Sequence, residues 1–441
     1  MNAAKWEIRI DTGGTFTDCI AVSPEGTVQR IKVLSSSALR GQVLEEITPQ
    51  QFRFSQQWRT ANDIFQGYNF LLPGQPEVLA RVVSIDFQQK RLTLDRAVQL
   101  PPDTDFEITA REEAPVLAAR IATQTPLNQA FPPMIMRLGS TKGTNALLEK
   151  KGAKVAFLVT KGFRDLIYIG TQQRPHLFQL NIPEPNLLYE QVLEVAERLD
   201  AEGTILQPLT KAEIERLVAA LQMMQPEAVA ISLLHAYRNP VHEQQLATAL
   251  AQAGFGFVSC SHVLASAIKI VPRAQTTLVN TYLSPVIHQY LQRIQEKLGA
   301  QSTLLVMTSA GGLAATTDFQ PKDSLLSGPA GGVVGADRIA RTLGFERVLT
   351  FDMGGTSTDA ARIAKSYDYR FVTKVGDAEM LSPSLAIETV AAGGGSICSF
   401  DGHKLCVGPE SAGAHPGPAC YGAGGPLTIT DVNLLLGKLE P

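Results

Sequence analysis

The sequence predicts an α/β fold of two or more domains, and three observations carry this prediction. The motif D-x-G-G-T-x-T-D occurs twice, at residues 11–18 and 352–359. From about residue 134, buried apolar runs alternate with amphipathic, helix-like stretches, which is typical of a layered α/β protein. Residues 36–130 are instead rich in Gln, Pro and Arg and have apolar residues at alternate positions, so we expect a small, mostly β insert there.

Size and composition narrow the class of protein. A chain of 441 residues is too long for one ordinary core, and 44% hydrophobic with 18% charged residues describes a folded, soluble protein. The net charge of -3 gives no electrostatic basis for binding nucleic acid or an anionic membrane. No run approaches the ~20 apolar residues of a membrane span. Five cysteines, few and odd in number, suit a reducing compartment, so we expect a cytoplasmic protein.

The two motif copies stand in similar surroundings. Residues 6–33 are predicted to form a β-meander whose first hairpin carries the first copy, and a helix of small residues, 328–340, precedes the second. After residue 400 the chain is rich in Gly and Pro, which predicts a long ordered loop. The chain ends directly after the apolar stretch "DVNLLLGKL" without a polar tail, and we expect a fragment of a longer protein.

The motif has the chemistry of a phosphate-binding hairpin. Glycine lets the backbone N–H groups approach a phosphate closely, Thr adds a hydroxyl donor, and an Asp beside phosphates calls for a divalent cation such as Mg²⁺. A plain hairpin with a capping Asp explains one copy as well, but the recurrence favours two halves of a nucleotide clamp. We therefore expect Asp11 and Asp352 to face a shared Mg²⁺. The predicted nucleotide-binding residues are Gly13, Gly14, Thr15, Thr17, Asp18, Gly354, Gly355, Thr356, Ser357 and Asp359.

The order of hairpin, small-residue helix and hairpin resembles the actin, Hsp70 and sugar-kinase ATPase superfamily. The resemblance implies an actin-like (ribonuclease H-like) fold in which two related domains close on ATP, with Asp11 and Asp352 near Mg²⁺. The P-loop signature G-x-x-x-x-G-K-[ST] does not occur in the sequence. The stretch "SGPAGGVVGAD" is not a G-x-G-x-x-G, which argues against a dinucleotide-binding fold.

A narrower resemblance covers nearly the whole chain outside the insert. "DTGGTFTD", "LSGPAGGVVG", "FDMGGTSTDAARI", "AIETVAAGGGSI" and "VGPESAGAHPGPACYGAGGPLTITDVNLLLG" are together similar to the hydantoinase A / 5-oxoprolinase family. The resemblance implies ATP-dependent hydrolysis of a cyclic amide, 5-oxoproline to glutamate or a hydantoin, through phosphorylation of the lactam oxygen. It also implies a B-type (hydantoinase B-like) domain or subunit as partner. The implied domains are an N-terminal ATPase domain (1–35 and 131–225), the insert (36–130) and a truncated hydantoinase A domain (226–441) with a Gly/Pro-rich loop at 400–426.

Alternatives to the hydrolase remain open. ATP-dependent ketone carboxylases share the A-type module, although "GTQQRPHLFQL" and "LLYEQVLEVAERLD" favour the hydrolase. A non-catalytic ATP-binding module and a fragment that binds ATP only are also considered. Thr12 stands where 5-oxoprolinases often have Arg, so the identity of the lactam stays open, as does a homo-oligomeric state.

Several further residues are candidates for binding or catalysis. Arg174 could bind a substrate carboxylate, and an exposed structural Arg is an equal alternative. Ser309, Gly311 and Gly312 lie in a turn after a buried strand and are candidates for substrate contact. The turn at 391–396 could present N–H groups to a ligand or be a plain turn. Cysteines and histidines at 398–420 raise a structural zinc site without the usual tight pairs, and Cys420 is a weak candidate nucleophile. The remaining histidines are expected to be structural: His235, His242, His262 and His288.

Overall fold

A computed structural model describes residues 5–56, 58, 60, 63–172, 178, 180, 184–375, 378–413, 416–422 and 424–440. The chain forms two compact units. Unit 1 comprises Met1–Thr308, Gly312–Gly328 and Val372–Ser382. Unit 2 comprises Ser309–Gly311, Pro329–Phe371 and Pro383–Pro441.

The strands and helices are numbered in chain order. Strands up to the middle of the chain are β1 (Trp6–Thr12), β2 (Phe16–Val22), β3 (Val28–Leu34), β4 (Leu39–Thr48), β5 (Gln51–Gln56), β6 (Asn69–Leu71), β7 (Ala80–Asp86), β8 (Arg91–Leu94), β9 (Asp105–Thr109), β10 (Met134–Ser140), β11 (Val155–Thr160), β12 (Gln191–Val195), β13 (Arg198–Leu199), β14 (Ile205–Gln207), β15 (Ala228–Ser232) and β16 (Val258–Cys260). The later strands are β17 (Thr303–Met307), β18 (Leu313–Ala315), β19 (Arg347–Met353), β20 (Thr358–Ala364), β21 (Ser366–Tyr367), β22 (Tyr369–Arg370), β23 (Thr373–Val375), β24 (Ala378–Met380), β25 (Ser384–Leu385), β26 (Ile387–Val390), β27 (Ser396–Phe400) and β28 (Leu405–Ser411). The α-helices are α1 (Ala114–Thr123), α2 (Lys142–Leu148), α3 (Leu166–Ile169), α4 (Lys211–Met224), α5 (Val241–Gln252), α6 (Ser261–Leu264), α7 (Ile270–Leu298), α8 (Ser327–Thr342) and α9 (Ile429–Leu435).

The first sheet of unit 1 has the order β18-β17-β10-β1-β2-β3. The predicted meander is confirmed, since β1, β2 and β3 are successive antiparallel neighbours, while β10 pairs with β1 in parallel. Successive side chains of a strand point to opposite faces of the sheet. In β1, Ile8 and Ile10 are buried in the core, and Arg9 between them is exposed. Three antiparallel strands continued by parallel strands give the ribonuclease H-like arrangement, so the predicted fold class is confirmed.

The stretch between the meander and β10 contains a closed barrel of order β4-β5-β8-β7-β6-β9. Its interior is aromatic, with Phe52, Phe54, Phe70 and Phe106 fully buried. A Cβ at Gly41 would lie 2.5 Å from the Phe106 ring, so this position of β4 needs glycine. The predicted β-rich insert is therefore a barrel, followed by α1, which packs on the first sheet.

A second sheet in unit 1 consists of four parallel strands, β12-β11-β15-β16, flanked by helices. Buried carboxylates hold its carboxyl-terminal edge. The Glu197 carboxylate lies 2.6 Å from Nδ1 of His242, and Glu243 lies 2.6 Å from Nδ1 of His262. Both histidines thus make structural hydrogen bonds with buried acids, as expected from the sequence.

Unit 2 is built around the β19–β20 hairpin, which α8 covers on one face. Val333 of α8 packs in one cluster with Ala361 and Ile363 of β20. The helix predicted at 328–340 is confirmed. The Gly/Pro-rich stretch, 400–426, begins at the end of β27 and contains β28, which pairs with β27, so it is not a loop throughout. Helix α9 follows it, with a capping box that joins Thr428 and Asp431. Within the described part of the chain, no helix has both the length and the apolar character that crossing a membrane requires.

Candidate functional site

The first motif forms the tight turn between β1 and β2. The Gly13 N–H donates a 2.9 Å hydrogen bond to the Phe16 carbonyl, which closes the turn and leaves Gly14 and Thr15 exposed at its tip. Asp11 lies opposite Asp18 in the antiparallel register. The hairpin therefore presents backbone at its tip and a carboxylate just below it, as the sequence predicts.

Ser35, at the end of β3, supports this turn from behind. Its Oγ donates to the Gly13 carbonyl at 2.8 Å and lies 3.0 Å from Oγ1 of Thr17, and its N–H donates to the Thr15 carbonyl at 2.9 Å. Thr17 is buried, and its hydroxyl makes this hydrogen bond with Ser35. Sequence reasoning missed Ser35, because nothing in the run "LSSS" distinguishes it from its neighbours.

Glycines keep space open around Asp11. A Cβ at Gly139 would lie 3.5 Å from Oδ1 of Asp11, and one at Gly328 would lie 4.0 Å from the same atom. Thr141 ties the start of α2 to the hairpin, because its N–H donates to the Thr12 carbonyl at 3.0 Å. The residues around the carboxylate thus leave room that ordinary side chains would fill.

Asp18 has a partner on the neighbouring strand. Both of its carboxylate oxygens lie 2.9 Å from Nζ of Lys32, which also lies 5.0 Å from the ring centroid of Phe16. The pair is solvent-exposed, so its contribution to stability is small. To bind a metal ion or to lie near a phosphate, the Asp18 carboxylate must therefore break its ion pair with Lys32 or share the ligand with it.

The second motif repeats the geometry in unit 2. The Gly354 N–H donates to the Ser357 carbonyl at 2.8 Å, and Asp352 lies opposite Asp359. Gly355 and Thr356 are exposed at the tip. The space beside Asp352 is again kept by a glycine, since a Cβ at Gly332 of α8 would lie 3.8 Å from its Oδ2. Oγ1 of Thr389 donates to Asp359 at 2.6 Å.

A run of three glycines, 393–395, holds the second turn. The Gly394 N–H donates to the Gly354 carbonyl at 2.9 Å, and the Gly395 N–H donates to the Gly355 carbonyl at 2.6 Å. The Gly393 N–H donates to Oγ of Ser396 at 3.0 Å. All three N–H groups are therefore used within the protein, so the interpretation that this turn presents them to a ligand is wrong. The run instead supports the turn at Gly354–Gly355 from behind.

The predicted substrate residues Ser309, Gly311 and Gly312 lie in one turn, in which Gly312 is exposed. Ser309 is buried and its carbonyl accepts a 2.9 Å hydrogen bond from the Leu385 N–H. Gly311 has φ +80°, and a Cβ there would lie 3.0 Å from Val334. The Gly312 carbonyl accepts the Thr308 N–H at 2.9 Å. Arg174, the other predicted substrate residue, lies outside the described residues, as does His415 of the predicted zinc cluster.

The cysteines after residue 397 do not gather into a metal site among the described residues. Cys406 donates to Asp401 at 3.4 Å. A hydrogen bond to Asp431 raises the pKa of the Cys420 thiol, which disfavours the thiolate that a nucleophile needs.

Among the described residues, the side chains of Glu243, Cys260 and His262 lie close enough together to hold a metal ion. The Glu243 carboxylate already accepts hydrogen bonds from the Leu233 N–H, the Ser261 hydroxyl and the His262 N–H. Burial raises the pKa of the Cys260 thiol to about 12. These contacts describe a structural network that holds strand ends together.

Comparison with known families covers most of the chain. Residues 273–441 match the family described as Hydantoinase/oxoprolinase. Residues 7–62 and 106–254 match the Hydantoinase/oxoprolinase N-terminal region. The stretch between these two ranges, 63–105, contains β6, β7 and β8 of the barrel and is not part of the match.

Curated relatives are substantially longer proteins. The chain is 41% identical over 330 residues to 5-oxoprolinase 1 of Arabidopsis thaliana and 38% identical over 337 residues to 5-oxoprolinase of Saccharomyces cerevisiae. Each alignment covers 69% of this chain and 26% of the relative. Caprolactamase subunit alpha of Pseudomonas jessenii is 38% identical over 320 residues, covering 68% of this chain and 45% of that subunit. The chain thus spans about a quarter of the length of the 5-oxoprolinases that it matches.

Two solved structures have the same fold. The ATP-dependent caprolactamase from Pseudomonas jessenii superposes with a TM-score of 0.67 at 29% identity, covering 99% of this chain and 55% of that chain. Nucleotide-free acetone carboxylase gives a TM-score of 0.64 at 22% identity over the same shares, which supports the fold alone. On the matched motifs, the relatives and the shared fold, the chain belongs to the hydantoinase/oxoprolinase family.

Proposed function

We propose that this chain is the ATP-binding part of an enzyme that hydrolyses the C–N bond of a cyclic amide. The proposed substrate is 5-oxoproline, which opens to glutamate, with a hydantoin as second candidate. The observation that carries the proposal is the pair of hairpins with the same turn and the same Asp-to-Asp register, in a chain whose relatives are named 5-oxoprolinases. A closed turn with an exposed Gly-Thr tip is a shape that binds phosphate through backbone N–H groups.

Each hairpin has a defined role in this proposal. The tips, Gly14-Thr15 and Gly355-Thr356, donate hydrogen bonds to the phosphates of ATP. Asp11 and Asp352 hold Mg²⁺, directly or through water, because carboxylates suit this ion and the neighbouring glycines leave room beside both side chains. When bound, the ion neutralises phosphate charge during phosphoryl transfer.

The reaction uses ATP to activate an inert amide. Transfer of the γ-phosphoryl group to the amide oxygen releases ADP and converts that oxygen into a leaving group. Water then attacks the former carbonyl carbon and the C–N bond opens, which gives a free amine and an acyl phosphate. A second water hydrolyses the acyl phosphate to the carboxylate and phosphate. An unstrained lactam is a poor electrophile, and phosphorylation of its oxygen makes the carbonyl carbon reactive towards water. The proposal assigns the second step to a B-type partner, which the name "subunit alpha" of the caprolactamase relative supports.

ADP release tests the proposal. The purified chain would be assayed with Mg-ATP and 5-oxoproline, hydantoin, or acetone with bicarbonate, each with and without a hydantoinase B-type protein. Stimulation by a cyclic amide is the expected result. Stimulation by acetone and bicarbonate alone would assign the chain to a ketone carboxylase instead. If the chain binds ATP tightly but no substrate stimulates ADP release, the chain is a nucleotide-binding module and the proposed hydrolase function is contradicted.

We also propose a cytoplasmic location. All five cysteines lie in the described part of the chain and are free thiols. Two of them, Cys19 and Cys260, are buried, where burial raises their pKa to about 12 and keeps them protonated. Free thiols of this kind fit a reducing compartment. Thiol titration of the native protein from its source cells measures this state, and disulfides found there would contradict the proposal.

A further inference from the structure

A cleft in unit 1 lies between the β-meander and the barrel. Its volume is about 940 Å³, which is within the range of small-molecule sites in proteins. The ends of β2 and β3 contribute residues from the meander, and β4, β5 and β9 contribute residues from the barrel. We call it the barrel cleft, and its lining includes Phe16, Lys32, Leu34, Arg40, Trp58 and Asp105.

The barrel cleft reaches the turn of the first motif. Phe16 lines the cleft and directly follows the exposed tip residue Thr15. Leu34, which lies opposite Phe16 on β3, also lines the cleft. It precedes Ser35, whose N–H donates to the Thr15 carbonyl. A ligand in this cleft therefore lies beside the residues proposed to bind phosphate.

The cleft also lies on the face of the sheet that carries the motif carboxylate. Residues directly opposite each other on neighbouring strands point to the same face. Asp11 lies opposite Asp18, and Asp18 lies opposite Lys32, which lines the cleft. This row leads from the proposed Mg²⁺ ligand on β1, across β2, to the edge of the cleft at β3.

Arg40 is the lining cation with unused hydrogen-bond donors. The Glu107 carboxylate, opposite on β9, holds it through Nε at 2.7 Å, and the Arg40 side chain is 61% exposed. The Trp58 indole N–H donates to the Arg40 carbonyl at 2.7 Å, which fixes the backbone as well. Among the described residues, the two terminal nitrogens of Arg40 have no hydrogen-bond acceptor. Lys32, by contrast, is paired with Asp18.

We propose that the barrel cleft binds the cyclic amide, with the two terminal nitrogens of Arg40 donating to a carboxylate on that substrate. This inference rests on the proposed function and deepens it, because it assigns the substrate to cyclic amides that carry a carboxylate, as 5-oxoproline does. The planar edge of a guanidinium matches the two oxygens of a carboxylate. Because Glu107 already holds Nε, the Arg40 side chain loses little freedom when it binds.

The ring of the substrate packs on Phe16 in this arrangement. This side chain is 45% exposed and offers apolar surface next to the tip of the turn. A lactam bound there has its carboxylate towards Arg40 and its amide oxygen towards the residues proposed to hold the γ-phosphate of ATP. Asp105, the acid in the lining, repels the carboxylate of the substrate, so its neutralisation should strengthen binding.

Direct binding tests the assignment apart from turnover. Titration calorimetry of the chain with Mg-ADP present measures the dissociation constants of 5-oxoproline and of 2-pyrrolidinone, which is the same lactam without the carboxylate. We expect Arg40→Gln to weaken 5-oxoproline binding about tenfold or more, because hydrogen bonds between charged groups are lost, and to leave 2-pyrrolidinone binding unchanged. Asp105→Asn should tighten 5-oxoproline binding about twofold, a gain that misfolding cannot produce.

Arg53→Gln is the matched control, because Arg53 forms an exposed pair with Glu45 on the same barrel and does not line the cleft. It should bind 5-oxoproline as the parent chain does. The assignment is overturned if the parent chain does not bind 5-oxoproline, or if Arg40→Gln binds it as tightly as Arg53→Gln. If Arg40→Gln does not fold, an unchanged affinity in Asp105→Asn overturns it.

The outcome is separable from that of the proposed function. Arg40-dependent binding of 5-oxoproline without stimulated ADP release contradicts the hydrolase and supports the cleft assignment. Stimulated ADP release that Arg40→Gln does not affect supports the hydrolase and overturns the cleft assignment. A loss of ATP affinity in Arg40→Gln, with 5-oxoproline binding intact, also overturns it, because the nucleotide then occupies the cleft.

Discussion

The α-carbon of Gly393 lies against the peptide group of Gly355, so that a Cβ at residue 393 would stand 2.6 Å from the Gly355 carbonyl carbon. Side chains do not tolerate such a distance, and the obstacle is backbone that cannot rotate away. The glycine run and the second turn are therefore one structural element. The turn has its shape because residues 393–395 can approach it closely.

Gly393→Ala tests this relationship. The added methyl group must displace the turn at 354–356, and we expect a loss of about 1–3 kcal/mol in stability and of about tenfold or more in ATP affinity. Equilibrium ATP binding and thermal unfolding measure both effects. Gly335→Ala is the control, because no atom lies within 4 Å of a Cβ at this helical position. Equal ATP affinity in the two variants would show that the run does not position the turn.

The two motif carboxylates should be needed for turnover. Asp11→Asn and Asp352→Asn remove the negative charges proposed to hold Mg²⁺ while keeping side-chain size. We expect each to abolish Mg-ATP hydrolysis in the assembled enzyme, with folding retained in circular dichroism. Asp103→Asn is a suitable control, because this residue has φ +63°, a conformation that Asn also tolerates. Normal turnover in both motif variants would refute the phosphate-and-metal role.

Ser35 should affect ATP binding through the first turn. Ser35→Ala removes the hydroxyl that donates to the Gly13 carbonyl and contacts Thr17. One lost hydrogen bond of this type is worth about 0.5–1.5 kcal/mol, so ATP affinity should fall by a few fold. The neighbouring Ser36→Ala should leave affinity unchanged, since Ser36 is exposed. Identical ATP dissociation constants for the two variants would show that Ser35 does not support ATP binding.

Unit 2 should be less stable in acid because of Asp337. This buried carboxylate accepts two 2.9 Å hydrogen bonds from Nε of Arg341 and one of 2.8 Å from the Tyr367 hydroxyl. The Arg341 hydrogen bond, followed by that from Tyr367, holds the pKa of Asp337 below its usual value. A lowered folded-state pKa stabilises the protein above the unfolded value of about 3.9. This stability is lost as the pH falls through the folded-state pKa.

Asp337→Asn should therefore cost about 1–3 kcal/mol at neutral pH and progressively less as the pH falls below about 4. Urea unfolding followed by far-UV circular dichroism measures the difference, because both tryptophans, Trp6 and Trp58, lie in unit 1. Asp368→Asn changes a solvent-exposed pair with Arg362 and should cost less than about 1 kcal/mol. A pH-independent cost for Asp337→Asn would contradict the ionic role of the carboxylate.

Several features were readable from local sequence. The hairpins at 11–18 and 352–359, the meander and the helix at 328–340 were predicted because glycine turns, alternation and helical spacing act within a few residues. The ribonuclease H-like class was predicted because their order along the chain resembles that of the actin-like ATPase superfamily. The 36–130 stretch was recognisable as β-rich, but its closure into a barrel depends on β4 pairing with β9, which the four other barrel strands separate along the chain.

The detailed site was decided by contacts between distant parts of the chain. Ser35 reaches Gly13 from the end of another strand, and Gly395 reaches Gly355 from another turn. The turn at Ser309–Gly311, predicted to contact substrate, packs against Leu385 and Val334, which are distant in sequence. Sequence determined which backbone shapes the two motifs adopt, because their own glycines and hydrogen-bonding groups specify them. Tertiary structure alone decided which residues support those turns and which side chains line the barrel cleft, because both depend on what packs against each element.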